Sequence, residues 1–355
     1  MRKLIVISLL LTVIAIPGFG QRKIVNLPDI PGYVTLKCDF HMHTIFSDGS
    51  VWPTYRLAEA LKDGLDAIAI TDHIVIAPKK GYVPVDLNAA WKLTETAAKE
   101  SNIILVHGAE ISRKMPPGHL NALFITDAEA LQKDSVWDVI EEAAKQGGFI
   151  QWDHPGWKAQ QPDGIPRMYD IHKRLLDKGW INGIEFFNSD EYYPLVFTFC
   201  EQYNLALMGN SDIHAIISEK YTAPNYTNRP MTLVFANEKT AESLKEAMFA
   251  GRTMVYFRDM LVGREKYAKQ FFDKCISIGK PFYENNENIY FEVTNKSDLP
   301  FYLTNGVSGA PESITLASNS VTRVVLSKKI KTQLVYDVKN VLIGEKKVLK
   351  VELKY

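Results

Sequence analysis

The chain has 355 residues, 46% of them apolar and 23% charged, a balance that excludes a disordered or fibrous protein. Lys plus Arg equals Asp plus Glu at 41 each, so no overall positive field favours nucleic acid as a stable partner. Three cysteines are too few for a disulfide framework, and Cys38 and Cys200 stand in apolar contexts that read as buried free thiols.

At the N-terminus Arg2 and Lys3 precede an uncharged apolar run, Leu4 to Ile16, broken by Pro17-Gly18-Phe19-Gly20. A short run followed by small residues is the pattern of a signal peptide, expected over residues 1–20. A secreted, periplasmic or cell-surface location follows, with no transmembrane segment in the mature chain. From residue 33 to 250, short apolar runs alternate with helical patterns. The runs are Val34–Phe40, Ala67–Thr71, Ile103–Val106, Ala122–Ile125, Phe149–Trp152, Gly183–Phe187, Leu205–Met208 and Thr232–Phe235. Alternation at this spacing predicts a parallel sheet wrapped by helices, and seven or eight units predict a closed or nearly closed barrel over residues 21–258. Asp259–Ser277 reads as a further helix, inside a helical linker over 259–284. From 285 to 355 short strands separated by Asn, Ser, Gly and Lys predict a small antiparallel β-domain resembling a sandwich.

Six of the eight histidines fall where an apolar run ends or just beside it: His41, His43, His73, His119, His154 and His214. In a parallel barrel those strand ends share one face, the face on which sites are built. His41-Met-His43 is an i, i+2 pair, which on a strand points both imidazoles to one side. Asp212-Ile-His214 repeats the spacing with a carboxylate. Glu110 closes another run, and Asp48 sits five residues past His43. Imidazoles mixed with carboxylates suit Zn, Mn or Fe(II). Nine such residues exceed what one ion needs, so two or three divalent ions are expected, with Asp48, Glu110 and Asp212 as the carboxylates closest to the chemistry. His172, in His-Lys-Arg-Leu-Leu-Asp-Lys, reads as a solvated helix face, and His107 as core or a support for Glu110. Asp72 is expected to support a ligand. Asp153 is expected to point away from the cluster or to the backbone. Arg113, Lys114, Trp157, Lys158 and Arg229 are the candidates to face a substrate.

The segments Cys-Asp-Phe-His41-Met-His43-Thr-Ile-Phe-Ser-Asp48-Gly, Ala-Ile-Thr-Asp72-His73, Gly-Ala-Glu110-Ile, Gly-His119-Leu, Asp-His154-Pro-Gly and Asn-Ser-Asp212-Ile-His214 together resemble the polymerase-and-histidinol-phosphatase (PHP) superfamily, over residues 34–255. The resemblance implies a distorted (β/α)7 TIM-like barrel. It also implies a trinuclear site whose ligands are His41, His43, Asp48, His73, Glu110, His119, His154, Asp212 and His214. The implied activity is hydrolysis of a phosphate ester in a small substrate by metal-activated hydroxide, with a diester favoured over a monoester. Hydrolysis of an amide or lactone is the alternative reaction class, and a non-catalytic binding protein is the alternative role.

Overall fold

A computed structural model describes residues 24–221, 228–330 and 333–355, so the expected signal peptide lies outside the described residues. The chain opens with β1 (Val34–Asp39), α1 (Pro53–Asp63), β2 (Ala67–Ile70), α2 (Ala89–Glu100), β3 (Ile104–Ile111) and β4 (Leu120–Leu123). It continues with α3 (Val136–Lys145), β5 (Phe149–Trp152), α4 (Asp170–Asp177), β6 (Gly183–Asn188), β7 (Glu191–Tyr192), α5 (Val196–Tyr203) and β8 (Ala206–Asn210). Next come α6 (Ile217–Lys220), β9 (Met231–Ala236), α7 (Ala241–Phe249), β10 (Thr253–Phe257), β11 (Met260–Gly263) and α8 (Glu265–Cys275).

Local chemistry sets the helix ends. Pro53 opens α1, and Gly64 closes it in the left-handed conformation at φ 68°. The Thr240 hydroxyl caps α7 by accepting from Ser243 N at 3.2 Å. β2, β4, β5, β6 and β8 are buried at every residue, as strands sandwiched between layers must be.

The strands form a barrel of mixed direction. The pairs β1–β2, β2–β3, β5–β6 and β6–β8 are parallel, whereas β4 runs antiparallel to β3 and β5, and β9 antiparallel to β1 and β10. The purely parallel sheet expected from the alternation is therefore corrected: the connection from β3 to β4 holds no helix, so β4 returns as a hairpin. The Thr232 hydroxyl closes the gap between β8 and β9, accepting from Gly209 N at 2.9 Å and donating to Gly209 O at 3.0 Å. Gly209 is required there, because a Cβ would stand 2.1 Å from Val255 Cγ1 on β10. Cys38, Ala67, Val106, Phe149, Met208 and Val234 form one buried layer with Leu244, Ala247 and Met248 of α7, which caps the end at which the parallel strands start. The opposite end is left for the site.

The C-terminal region carries β12 (Ile276–Ile278), β13 (Tyr283–Glu284), β14 (Asn288–Asn295), β15 (Phe301–Thr304), β16 (Ser313–Leu316), β17 (Ser320–Ser327), β18 (Val335–Gly344) and β19 (Lys347–Glu352). β14 pairs antiparallel with β12, β13 and β17, while β15, β16, β18 and β19 pair antiparallel among themselves. The second group joins the barrel sheet, since β18 runs parallel to β11 with Leu261 opposite Val341. Residues 259–284 are thus more than a helical linker. Residues 260–263 are the strand β11, and only Glu265–Cys275 is helix. Cys38, Cys200 and Cys275 are all buried free thiols. No helix among the described residues is long and apolar enough to cross a membrane.

Candidate metal centre

Three strand ends deliver the floor of the site. His41 and His43 follow β1, Glu110 ends β3, and Asp212 follows β8. His41 Nε2 stands 3.2 Å from Glu110 Oε2 and 3.3 Å from Asp212 Oδ1, and His43 Nε2 stands 3.2 and 3.1 Å from the same two atoms. Around the mouth, His73 Nδ1 lies 3.1 Å from Glu110 Oε2, and His119 Nδ1 lies 2.5 Å from Glu110 Oε1. His154 Nε2 is 3.9 Å from Glu110 Oε1. Asp48 folds back from the first loop to within 3.2 Å of His214 Nε2 and 3.5 Å of His73 Nε2. All nine residues singled out in the sequence are therefore brought together. His119 joins although it precedes its strand, because β4 is reversed and Leu120 pairs with Ile111 and Trp152, the last residues of β3 and β5.

The electrostatics show what the cluster lacks. Burial opposes charge on His41, yet Asp212, Asp153 and Glu185 outweigh it and hold its imidazole well above the ordinary range. His43 is likewise pushed up to about 9, against burial, by Asp212 and Glu110. Burial would raise Glu110 and Asp48, but the surrounding imidazoles hold Glu110 well below the usual carboxylate range and His214 and His73 do the same to Asp48. The carboxylates thus require positive charge, which only imidazolium protons or bound cations can supply here. His43 Nε2, Glu110 Oε1, His119 Nδ1 and Asp212 Oδ1 are buried without a hydrogen-bond partner, despite their close approaches. Orphaned donor atoms pointing at one another are what a cation would satisfy. Three groups within the set, His43/Asp48/His73/His214, His41/His43/Asp212 and His73/Glu110/His119, have ligand atoms close enough to share an ion. The residues fit bound divalent metal.

The supports were mostly not legible. Glu185, the one charged residue inside the apolar run of β6, is fully buried; its Oε1 lies 3.0 Å from His41 Nδ1 and accepts from Gln151 Nε2 and Asn210 Nδ2. Its Oε2 accepts from His154 N at 2.8 Å. Asp153 departs from its expected orientation: its carboxylate is buried 3.8 Å from His41 Nδ1 and accepts from Gln151 Nε2 at 2.6 Å. Asp72 accepts from Thr44 N, Thr44 Oγ1 and Ser47 Oγ, which fixes the loop that carries Asp48. Arg56 on α1 is fully buried and donates to His43 O, Ile213 O, His214 O and Ala215 O, clamping two ligand-bearing loops together. Glu59 accepts from Arg56 and from Ile217 N, completing the clamp.

Among the candidate substrate contacts, Trp157 lines the cavity above the cluster. Arg229 does not: it is fully buried and paired with Asp39 and Asp63. Arg113 donates to Ser112 O and Lys133 O, and Lys114 and Lys158 are exposed away from the cavity lining. His107 is buried and stacked on Trp91 at 4.7 Å. His172 corrects the expectation of a solvated face. It is fully buried, stacked at 3.9 Å on Trp152, with Nδ1 accepting from Tyr169 N and Nε2 2.7 Å from Pro117 O. It shares the inner face of α4 with Leu175, three residues on.

A barrel with clustered imidazoles and carboxylates at its strand ends is the architecture of a metal-dependent hydrolase. Residues 39–293 match the PHP domain family, and residues 276–354 match an Ig-like domain family. The chain belongs to the PHP family. It is 38% identical to a crystal structure from Bacteroides vulgatus, described as a two-domain protein containing a predicted PHP-like metal-dependent phosphoesterase. The TM-score is 0.90, over 94% of this chain and 99% of that one. A 5'-3' exoribonuclease of Haemophilus influenzae is 28% identical over 144 residues, 41% of this chain, and the chain spans only 47% of that relative's length. The family is one of metal-dependent phosphoesterases, and the donor cluster stands where its chemistry would occur.

Proposed function

We propose that this chain is an exported phosphoesterase that uses two or three divalent ions, of zinc, manganese or iron, to cleave a phosphodiester in a small substrate. The observation that carries this reading is the convergence of nine imidazoles and carboxylates, seven lining one cavity and His41 and His43 fully buried against them, with four of their atoms buried and unpartnered. Ions held by these residues would polarise the phosphoryl oxygens and lower the pKa of a bound water. Glu110, buried and touched by His41, His43, His73 and His119, is the shared anionic centre. Asp48, with 31% of its side chain exposed, is the carboxylate placed to pass a proton to solvent or to a departing oxygen.

The cavity, of about 470 Å³, matches a small molecule better than a polymer. Among its described lining residues none is Lys or Arg, so the second negative charge of a monoester would meet no side-chain cation. That favours a diester. Export rests on the apolar run at Leu4 to Ile16. The test is metal analysis of reconstituted protein together with a panel of phosphomonoesters, phosphodiesters, lactones and amides. Metal-dependent turnover of a diester is expected, and turnover of lactone or amide alone would contradict the phosphoesterase assignment.

A further inference from the structure

We infer that Trp157 and Ile76 form a subsite for an uncharged aromatic alcohol group of the substrate, and that the wall made by the β6–β7 hairpin rejects a second anion; this rests on the phosphoesterase reading above. Trp157 is 40% exposed and Ile76 37%, and both line the cavity beside the donor cluster. An exposed indole facing a cavity usually marks a contact surface rather than a packing residue. Its backbone is fixed, since Trp157 N donates to His154 O at 2.9 Å and Trp157 O accepts from Gln161 N at 2.7 Å. The turn is pinned from below. Gly156 lies so close to Tyr193 and Gly164 O that a Cβ would stand 2.7 and 2.6 Å from them. The indole is thus held 5.2 Å from the His154 ring and 5.7 Å from the His119 ring, next to where the phosphoryl group would sit.

A further wall of the cavity is the β6–β7 hairpin, with Asn188, Ser189, Asp190 and Glu191. Glu191 there, which accepts from the Tyr193 hydroxyl, opposes a further anionic group on the substrate, while Arg258 partly offsets Asp190. The nearby cations do not line the cavity but are held by the hairpin itself. Lys220 donates to Ser189 Oγ, and Arg258 stands 3.9 Å from Asp190. The substrate class is therefore a phosphodiester with at least one flat, uncharged alcohol group.

The test measures binding to metal-loaded full-length protein of three non-hydrolysable diester mimics: dimethylphosphinate, methylphenylphosphinate and methyl(4-carboxyphenyl)phosphinate. Methylphenylphosphinate should bind about tenfold tighter than dimethylphosphinate, a difference of the size stacking provides. Trp157→Ala should abolish that preference and Trp157→Phe should restore most of it. The added carboxylate should weaken binding about fivefold or more, and Asp190→Asn with Glu191→Gln should remove most of that penalty, by relief of like-charge repulsion. Equal binding of methyl and phenyl probes to wild type, or a preference that survives Trp157→Ala, would overturn the aromatic subsite. A carboxylate penalty that is absent, or unchanged in the double variant, would overturn the charged wall. Hydrolysis of bis(4-nitrophenyl) phosphate by the same preparation reports separately on the phosphoesterase reading: phenyl preference without any turnover would sink that reading and leave the subsite standing.

Discussion

Glu185 Oε1 stands 3.0 Å from His41 Nδ1, on the side of the ring away from Glu110 and Asp212. A carboxylate in that place fixes the tautomer, keeping the proton on Nδ1 and leaving Nε2 free to donate its lone pair. Glu185→Gln keeps the volume but not the charge. It should lower affinity for the first bound ion roughly 10–100-fold, the usual effect of losing such a support. Competition against a chelator checks this, with circular dichroism confirming the fold; unchanged affinity would show that Glu185 is only a packing residue.

Arg56 should be more demanding than any surface arginine. Arg56→Met leaves the buried Glu59 without its cationic partner and removes one donor from each of four carbonyls, a loss of about 3–5 kcal/mol. Arg56→Lys keeps the charge but cannot reach both loops. It should fold and bind metal at least about tenfold more weakly, judged by the cost of removing comparable supports. Chemical denaturation and metal titration of the two variants separate stability from positioning.

His172 makes stability depend on pH. Burial holds its imidazole down to about 4, well under its unfolded value near 6.5, and Nδ1 must stay unprotonated to accept from Tyr169 N. A histidine whose folded pKa is depressed stabilises the fold fully above 6.5. That contribution is lost as pH falls from 6.5 towards 4 and levels off below. The loss at pH 5 should be about 2 kcal/mol. His172→Gln should flatten this part of the stability profile in denaturant titrations at pH 5 and 7.5. It should also be less stable than wild type at pH 7.5; identical slopes would contradict the assignment.

Gly209 tests barrel closure. Gly209→Ala places a methyl against Val255, and should cost about 1–3 kcal/mol from overpacking. A thermal midpoint equal to wild type would mean that β8 and β10 are less tightly apposed than described.

These relationships also show which parts of the molecule the chain pattern reveals. His41 and His43, and Asp212 and His214, are readable because an i, i+2 spacing at the end of an apolar run has one spatial meaning. The strands of the C-terminal domain are readable because alternation and turn residues are local signals. β11 is hidden because Met260–Gly263 is only four residues long, too short for an alternation of its own to show; its identity comes from pairing with β10 and β18. His172 lies among charged neighbours and Arg56 is itself a charge on a surface-type helix, so composition hides them. Only their phase on α1 and α4, with Leu57 and Ala60 beside Arg56 and Leu175 beside His172, marks the inner face. Glu185 carried a signal, an isolated carboxylate in a buried strand, that a search for strand-end histidines passes over.

The most direct test of the central claim pairs metal analysis with hydrolysis of bis(4-nitrophenyl) phosphate, for wild type and His41→Ala after reconstitution with Zn or Mn. Wild type should hold two or three ions per chain and hydrolyse the diester. His41→Ala should hold fewer and lose at least about a hundredfold in rate, the scale of removing one charge-stabilising group from an active site. Wild type with less than one ion per chain, or a His41→Ala protein equal to wild type in both metal and rate, would contradict the account.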